Sequence, residues 1–318
     1  MKGKYIVKRL LIAVLTFFGI TFLAYFISSL APGSPLDALL ADPRITPAEL
    51  ERKRISLGLD QPVVIQYFVW LKSLLAGDLG FSYTSQRPVM TMIRERLGIT
   101  SLLAGSSIVL SLIVAVPLGI FAATKPNSMR DHVSGGLSYI MVASPSFFTG
   151  LLLIYIFAVK LKVLPSGGLF DSSGTKTNAM LFRHMILPCL VLSFQHIGSW
   201  VRYMRSSMLE VMQEDYIVTA RAKGLKKMRV YLGHGLKNAL IPVVTVVGMS
   251  VPSLVGGAVV TEQVFSWPGI GMLMVQAINS RDYPVFMGIT VIIAIVVLLV
   301  NLATDLIYGL LDPRISYR

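Results

Sequence analysis

The chain has 318 residues, 54% of them hydrophobic and only 14% charged, and it carries a formal net charge of +13. That balance excludes a soluble domain of this length and marks an integral membrane protein. A single cysteine, Cys189, excludes an intrachain disulfide and any cysteine-based metal centre.

Lys2, Lys4, Lys8 and Arg9 precede the first uncharged run, 10–36. Ser29-Leu30-Ala31 resembles a secretory cleavage site, yet the apolar run exceeds the roughly 7–15 residues of a signal peptide. Residues 1–31 are therefore expected to hold a retained spanning helix. Residues 32–96 read as an extracytoplasmic insertion. In it Thr46-Pro47-Ala48-Glu49 forms a capping box with proline at the first helical position, and Gly58 ends that helix. A second helix is expected from after Asp60 to Gly77, with Val63, Tyr67, Trp70 and Leu74 on one face, as an interfacial helix with an aromatic anchor. The two helices either cap the bundle or receive an external partner.

Further uncharged runs at 97–124, 133–159, 185–201, 238–261 and 283–304 complete six spans, each near or above the roughly 17–25 residues a crossing needs. The expected fold is all-α, with a five-helix core over 97–305, a charged loop at 202–237 and a tail at 306–318. Six crossings put both termini on one side. Arg202, Arg205, Arg221, Lys223, Lys226, Lys227, Arg229 and Lys237 share that side with the N-terminal cluster, the 125–132 loop and the tail. Basic residues mark it as the cytosol. The insertion carries eight basic and seven acidic residues and is long enough to escape that rule. The net charge thus orients the chain against anionic lipid, and no basic groove interleaved with aromatics suggests nucleic acid.

Pro117, Pro145, Pro188, Pro242 and Pro252 lie within or at the ends of the runs. Each invites a kink that a moving bundle can use, although static bundles contain such prolines too. Gly256-Gly257 permits close helix approach. His196 and Asp305 are the clear ionisable groups in the spans, and no long run holds a buried Asp or Glu. A carrier driven by protons or sodium usually has one near the midplane, so the energy comes from elsewhere or the pathway is passive. Gln195 and His196 are pathway candidates, the other reading being a neutral histidine bonded to a neighbouring helix. Asp305 reads as solvated or paired with a cytosolic base.

Gly167 to Thr177 superficially looks like a phosphate-binding loop, but five residues rather than four separate Gly168 from Gly174, and Thr175 precedes Lys176. His132, His184, His196 and His234 show no paired ligand spacing, and no nucleophile, base and orienting group assemble. No enzyme and no cofactor is expected in this chain.

The segment Gln213 to Leu225 stands apart. Asp215 can cap a helix starting at Tyr216, Gly224 can supply the left-handed residue past its end, and Arg221 and Lys223 suit the dipole in the last turn. Ile217, Ala220 and Arg221 share a face small and apolar enough to enter a groove. On these residues alone it is either a rigid element offered to a partner or an ordinary charged loop helix.

Asp215-Tyr216, Thr219-Ala-Arg-Ala-Lys-Gly-Leu225, His234 and Asn238-Ala-Leu-Ile-Pro242 together resemble the peptide branch of the permease subunits of ATP-binding-cassette importers. Gly58-Leu-Asp-Gln-Pro62, Gly77-Asp-Leu-Gly80 with Pro88-Val89, Phe265-Ser-Trp-Pro-Gly-Ile-Gly271 and Leu311-Asp-Pro-Arg314 agree in order. The resemblance covers nearly the whole chain. It implies the type I importer fold, a second similar permease, two cytosolic ATPase subunits that bind ATP and magnesium, an extracytoplasmic solute-binding protein and a bacterial or archaeal cytoplasmic membrane. It further implies that Asp215, Tyr216, Ile217, Ala220, Arg221, Ala222, Lys223, Gly224 and Leu225 form a coupling helix docking on an ATPase. Val218 stands where glutamate is usual in the family, and Lys237 where a later proline falls. Relatives on the same scaffold carry nickel chelates, opines or sugars, so the solute stays open. A six-span passive channel is the alternative from another class.

Overall fold

The computed structural model of the chain describes residues 2–30, 36, 46–56, 58–171 and 176–311. Side chains are described within those limits except at 2–6, 53, 252–257 and 305–311. The expectations resting on the Pro252 and Asp305 side chains and on the tail beyond 311 lie outside the described residues. In chain order the helices are α1 (Lys2–Ser29), α2 (Pro47–Ser56), α3 (Val63–Leu75), α4 (Val89–Ala123), α5 (Met129–Ala143), α6 (Ser146–Leu153), α7 (Asn178–Val211), α8 (Asp215–Ala222), α9 (Leu236–Val264), α10 (Ile270–Asn279) and α11 (Tyr283–Leu311). The wide π-type turns Ile154–Lys160 prolong α6, and Lys227–Arg229 with the similar turns Val230–Gly235 lead into α9.

Five stretches are long and apolar enough to cross a membrane, in α1, α4, α7, Lys227–Val251 and α11. The expected span 133–159 is broken, because α5 and the prolonged α6 meet at 101°. Pro145 is the cause. It lacks an N–H and drives the residue before it out of the helical region, and Ser144 accordingly has ψ 121°. Hydropathy sees one apolar run there and carries no information about its direction. The second span starts at Val89, eight residues before its uncharged run, because Val89 and Ile93 are buried although Arg94, Glu95 and Arg96 follow.

The chain divides into two compact units. The first comprises residues 1–99 and 269–299. There α3 packs on α1 through Tyr67, which is buried, meets the Thr21 hydroxyl at 3.1 Å and lies edge-on to Phe22. Leu79, Val89, Ile93, Ile270, Leu273 and Ile289 form the other core of this unit. Asp282 is buried; its carboxylate accepts from the Ser82 hydroxyl and, at 3.0 Å, from the Tyr83 N–H. Burial, with Asp282 adding to it, pushes the Tyr83 phenol up to about 12. The capping box forms as expected: Thr46 N–H donates to Glu49 Oε2 at 2.9 Å, and Glu49 N–H donates to Thr46 Oγ1 at 3.3 Å.

The second unit comprises residues 100–268 and 300–318, and α7 is its central helix. Leu187, Val191, Ile197, Trp200, Met204 and Met208 of α7 are all buried. Gly198 lets α5 approach closely, since a Cβ there would lie 2.6 Å from the Ser138 carbonyl oxygen. Asp131 of α5 is buried and forms a two-pronged ion pair with the Arg205 guanidinium, while accepting the Asn127 N–H at 2.9 Å. On the side of α9, the Ser207 hydroxyl donates to the Ala239 carbonyl at 2.8 Å.

Candidate functional site

α8 is a two-turn helix with a sharp end. Gly224 has φ +77°, its N–H donates to the Arg221 carbonyl at 2.9 Å, and the Leu225 N–H reaches the Ala220 carbonyl at 3.4 Å. These two bonds form a Schellman stop, which needs a residue without a Cβ at the left-handed position. The start differs from the sequence expectation. The helix begins at Asp215, and Glu214 (φ −67°, ψ 145°) occupies the cap position with no side-chain cap bond. Asp215 therefore acts through its charge in the first turn, where the N-terminal dipole favours an anion.

The helix face also differs. Ile217 and Ala220 are buried in the chain's own core, against Met204, Met208, Met212, Val230, Ala239 and Val243. They anchor α8 to α7 and α9 and leave nothing apolar for an external groove on that side. The outward face carries Tyr216, Val218, Thr219, Ala222, Lys223 and Gly224, all exposed. Tyr216 is held at its rim, where the Asn238 amide donates to its hydroxyl at 2.6 Å. Arg221 is exposed and leans back toward the Met212 carbonyl, Nη2 at 3.5 Å, at the C-terminal end of α7. Leu225 is half-buried beside the same core. The sequence thus brings every expected member of the segment together, but shares them between an anchoring face and a displayed one.

Gln195 and His196 point to different tasks. The Gln195 amide donates to the Ser144 carbonyl at 3.3 Å, at the break that Pro145 imposes between α5 and α6. The His196 ring packs on Trp200, with centroids 5.4 Å apart.

Two buried polar groups escaped the sequence reading. Glu262 is fully buried in the last turn of α9 and accepts the Thr100 hydroxyl at 2.6 Å. It lies one residue past the uncharged run, and a charge that ends a hydropathic segment is easily taken for the start of a loop. His184 is buried with Nδ1 2.9 Å from the Gly167 carbonyl oxygen and Nε2 3.1 Å from Asp171. Gly167 itself lies against Phe265, where a Cβ would come within 2.3 Å of the carbonyl oxygen. That glycine serves close backbone approach, not phosphate binding. Among the described residues no three His, Cys, Asp or Glu side chains gather as metal ligands.

Comparison with known proteins gives these features a context. Residues 115–317 match the family model described as binding-protein-dependent transport system inner membrane component, and residues 2–104 match the N-terminal model of such membrane components. The chain is 42% identical to the oligopeptide transport system permease protein AppB of Bacillus subtilis, covering 98% of this chain and 99% of that protein. It is 38% identical to the dipeptide transport system permease protein DppB of Escherichia coli, covering 99% of both. Among solved structures, an inward-facing methionine transporter of the ABC class, MetNI, superposes with a TM-score of 0.57 at 18% identity, covering 70% of this chain and 97% of that one. The likeness in fold is that of a type I importer permease. The chain belongs to the inner-membrane permease family of binding-protein-dependent transport systems.

Proposed function

We propose that this chain forms half of the translocation pore of an ATP-driven peptide importer and passes the motion of an ATPase subunit into the membrane through α8. The observation that carries the reading is the build of α8: a short helix with a fixed stop, rooted by Ile217 and Ala220 in the core beneath α7 and α9, and displaying Tyr216, Val218, Ala222 and Lys223. A helix anchored on one face and docked on the other transmits displacement without bending. The docking set is Asp215, Tyr216, Ala222, Lys223, Gly224 and Arg221, with Ile217, Ala220 and Leu225 as its root. The names of the relatives, oligopeptide and dipeptide permeases, support peptide as the solute.

A second, similar permease completes the pore, and two ATPase subunits bind ATP and magnesium in the cytosol. ATP binding closes those subunits and favours the outward-facing bundle; hydrolysis and release favour the inward-facing one. The 32–96 insertion and, independently, the 262–284 segment are the candidates to meet the solute-binding protein, and 97–305 with the 202–237 loop is assigned to translocation.

Six crossings with both termini in the cytosol fit the contacts of the broken span. Asp131, at the start of α5, pairs with Arg205, while the Val163 carbonyl beyond α6 accepts from Arg183 at 3.1 Å. Those partners lie far apart along α7, about 33 Å at 1.5 Å per residue, close to the roughly 30 Å hydrocarbon thickness. That spacing supports reading the bent pair as a single crossing beside α7.

The test is labelled-oligopeptide uptake and ATP turnover in proteoliposomes holding the assembled complex, with and without its binding protein. Uptake needing both ATP and binding protein is expected. Turnover stimulated by the binding protein without peptide uptake would move the solute to another class, and the absence of any associated ATPase would remove the reading. In the same assay Gly224→Pro or Arg221→Glu lowers uptake while the protein remains inserted; unchanged uptake by well-expressed variants would dissociate α8 from coupling.

A further inference from the structure

Between α4 and α5, floored by α7, runs an open groove of about 360 Å³ lined by Leu118, Phe121, Val133, Leu137, Met141 and Val201. Phe121, Val133 and Leu137 are each about half exposed. The groove offers almost no polar contact: the Ser138 hydroxyl, one of its few polar groups, donates to the Ser134 carbonyl at 2.8 Å. From Met129 to Met141 it follows α5 for about 18 Å, comparable with the hydrocarbon depth of one leaflet, about half of 30 Å.

Charge marks one end only. Arg130 lies in the groove wall at the loop end of α5, its guanidinium 4.9 Å from the Phe121 ring centroid. No carboxylate among the described residues pairs with it, and the adjacent Asp131 is committed to Arg205. Lys125 is exposed in the same short loop. The ring holds the cation at the mouth of the groove while leaving its donors free for an anion.

From this pairing of a chain-length apolar groove with a fixed, unpaired cation at its membrane-surface end, we infer that the chain carries a binding site for one anionic phospholipid. One acyl chain fills the groove along α5, and the phosphate of the headgroup rests on Arg130 with Lys125 beside it. On the orientation proposed above this is a lipid of the cytosolic leaflet, although recognition itself depends only on the groove and its cation.

The experiment is native mass spectrometry of the purified full-length chain titrated with phosphatidylglycerol or with phosphatidylcholine, read as the fraction retaining one lipid. Preferential retention of one phosphatidylglycerol is expected. Arg130→Gln should weaken it about fivefold, the factor corresponding to about 1 kcal/mol for one surface cation near anionic lipid, and Arg130→Lys should restore most of it. Ser134→Trp, which fills the groove, should remove retention of both lipids. Equal retention of the two lipids, or indifference to Arg130→Gln, would overturn the inference. So would efficient cross-linking of Leu137→Cys to the neighbouring permease in the assembled complex made with Cys189→Ser, because the groove would then belong to a protein helix. None of these readouts depends on transport, so the lipid site and the peptide-import reading fail separately.

Discussion

Helices α1 and α7 are both long enough to cross a bilayer, yet the protein treats them in opposite ways. Within the apolar stretch of α1 only 6% of residues are buried by the rest of the chain, against 44% in α7. α1 reaches α3 through aromatic contacts and the Thr21–Tyr67 hydroxyl pair, whereas α7 buries large apolar side chains such as Trp200 and Met204 together with Gly198, Ser193 and Ser207 where other helices press on it. Composition identifies both as spans. The small and hydrogen-bonding residues help to tell a helix that the chain leaves largely uncovered from a central one, because without a hydrophobic drive between helices in lipid, close approach and polar contacts decide packing.

That contrast can be broken at its strongest point first. Arg205→Ala leaves the Asp131 carboxylate without its two-pronged partner, and a loss of about 2 kcal/mol in folded stability is expected, from charge-assisted hydrogen bonds in a part-buried pair. Thermal unfolding of the detergent-solubilised chain, followed by size-exclusion monodispersity, measures it; an unchanged midpoint would show that α5 and α7 do not depend on this pair. A matched glycine pair comes next. Gly198→Val drives methyl groups toward the Ser138 carbonyl and should cost about 1–3 kcal/mol, while Gly19 of α1 has nothing within 4 Å of its absent Cβ. Gly19→Val should therefore stay within about 0.5 kcal/mol of the parent, and equal losses in the two variants would erase the distinction between the helices.

The smallest expected effect concerns α2, where the helix is held by its own cap. Hydrogen bonds from Thr46 hold the Glu49 carboxyl below its ordinary value. A depressed folded-state value means that the capping contribution is present at neutral pH and lost as pH falls through that value, below the usual carboxylate range. Protection of the amides of residues 48–56, corrected for the intrinsic exchange rate at each pH, should fall at acid pH in the parent and lose that dependence in Glu49→Gln; a parent protection indifferent to pH would separate the cap from the helix.

Legibility followed the kind of signal each element carries. The spans and the stop of α8 could be read from the sequence, because apolar length and a glycine after a helical turn each have one dominant physical outcome. The α5–α6 bend was marked by Pro145, but its size depends on tertiary contacts such as the Gln195 amide reaching Ser144. The two faces of α8 are not told apart by the sequence for a similar reason. Ile217 and Ala220 at helical spacing announce burial without saying against what, and the chain's own methionines claim them. Glu262 gives no such signal, because a hydropathic run ends at its first charge, although the Thr100 hydroxyl of α4 donates to that carboxylate within the bundle.

The seat beneath α8 is built of Met204, Met208 and Met212, and Gly235 passes within 3.2 Å of the sulfurs of the last two at its Cβ position. Thioethers are unbranched and polarizable, so they re-form contact over a range of positions where a branched residue would clash or leave a void. The seat is thus filled by side chains that keep close contact with Ile217 and Ala220, which is what a helix rooted in the core needs. The same chemistry makes oxidation costly there, for a sulfoxide would put a polar, chiral group under Ile217 and disrupt the packing that roots α8.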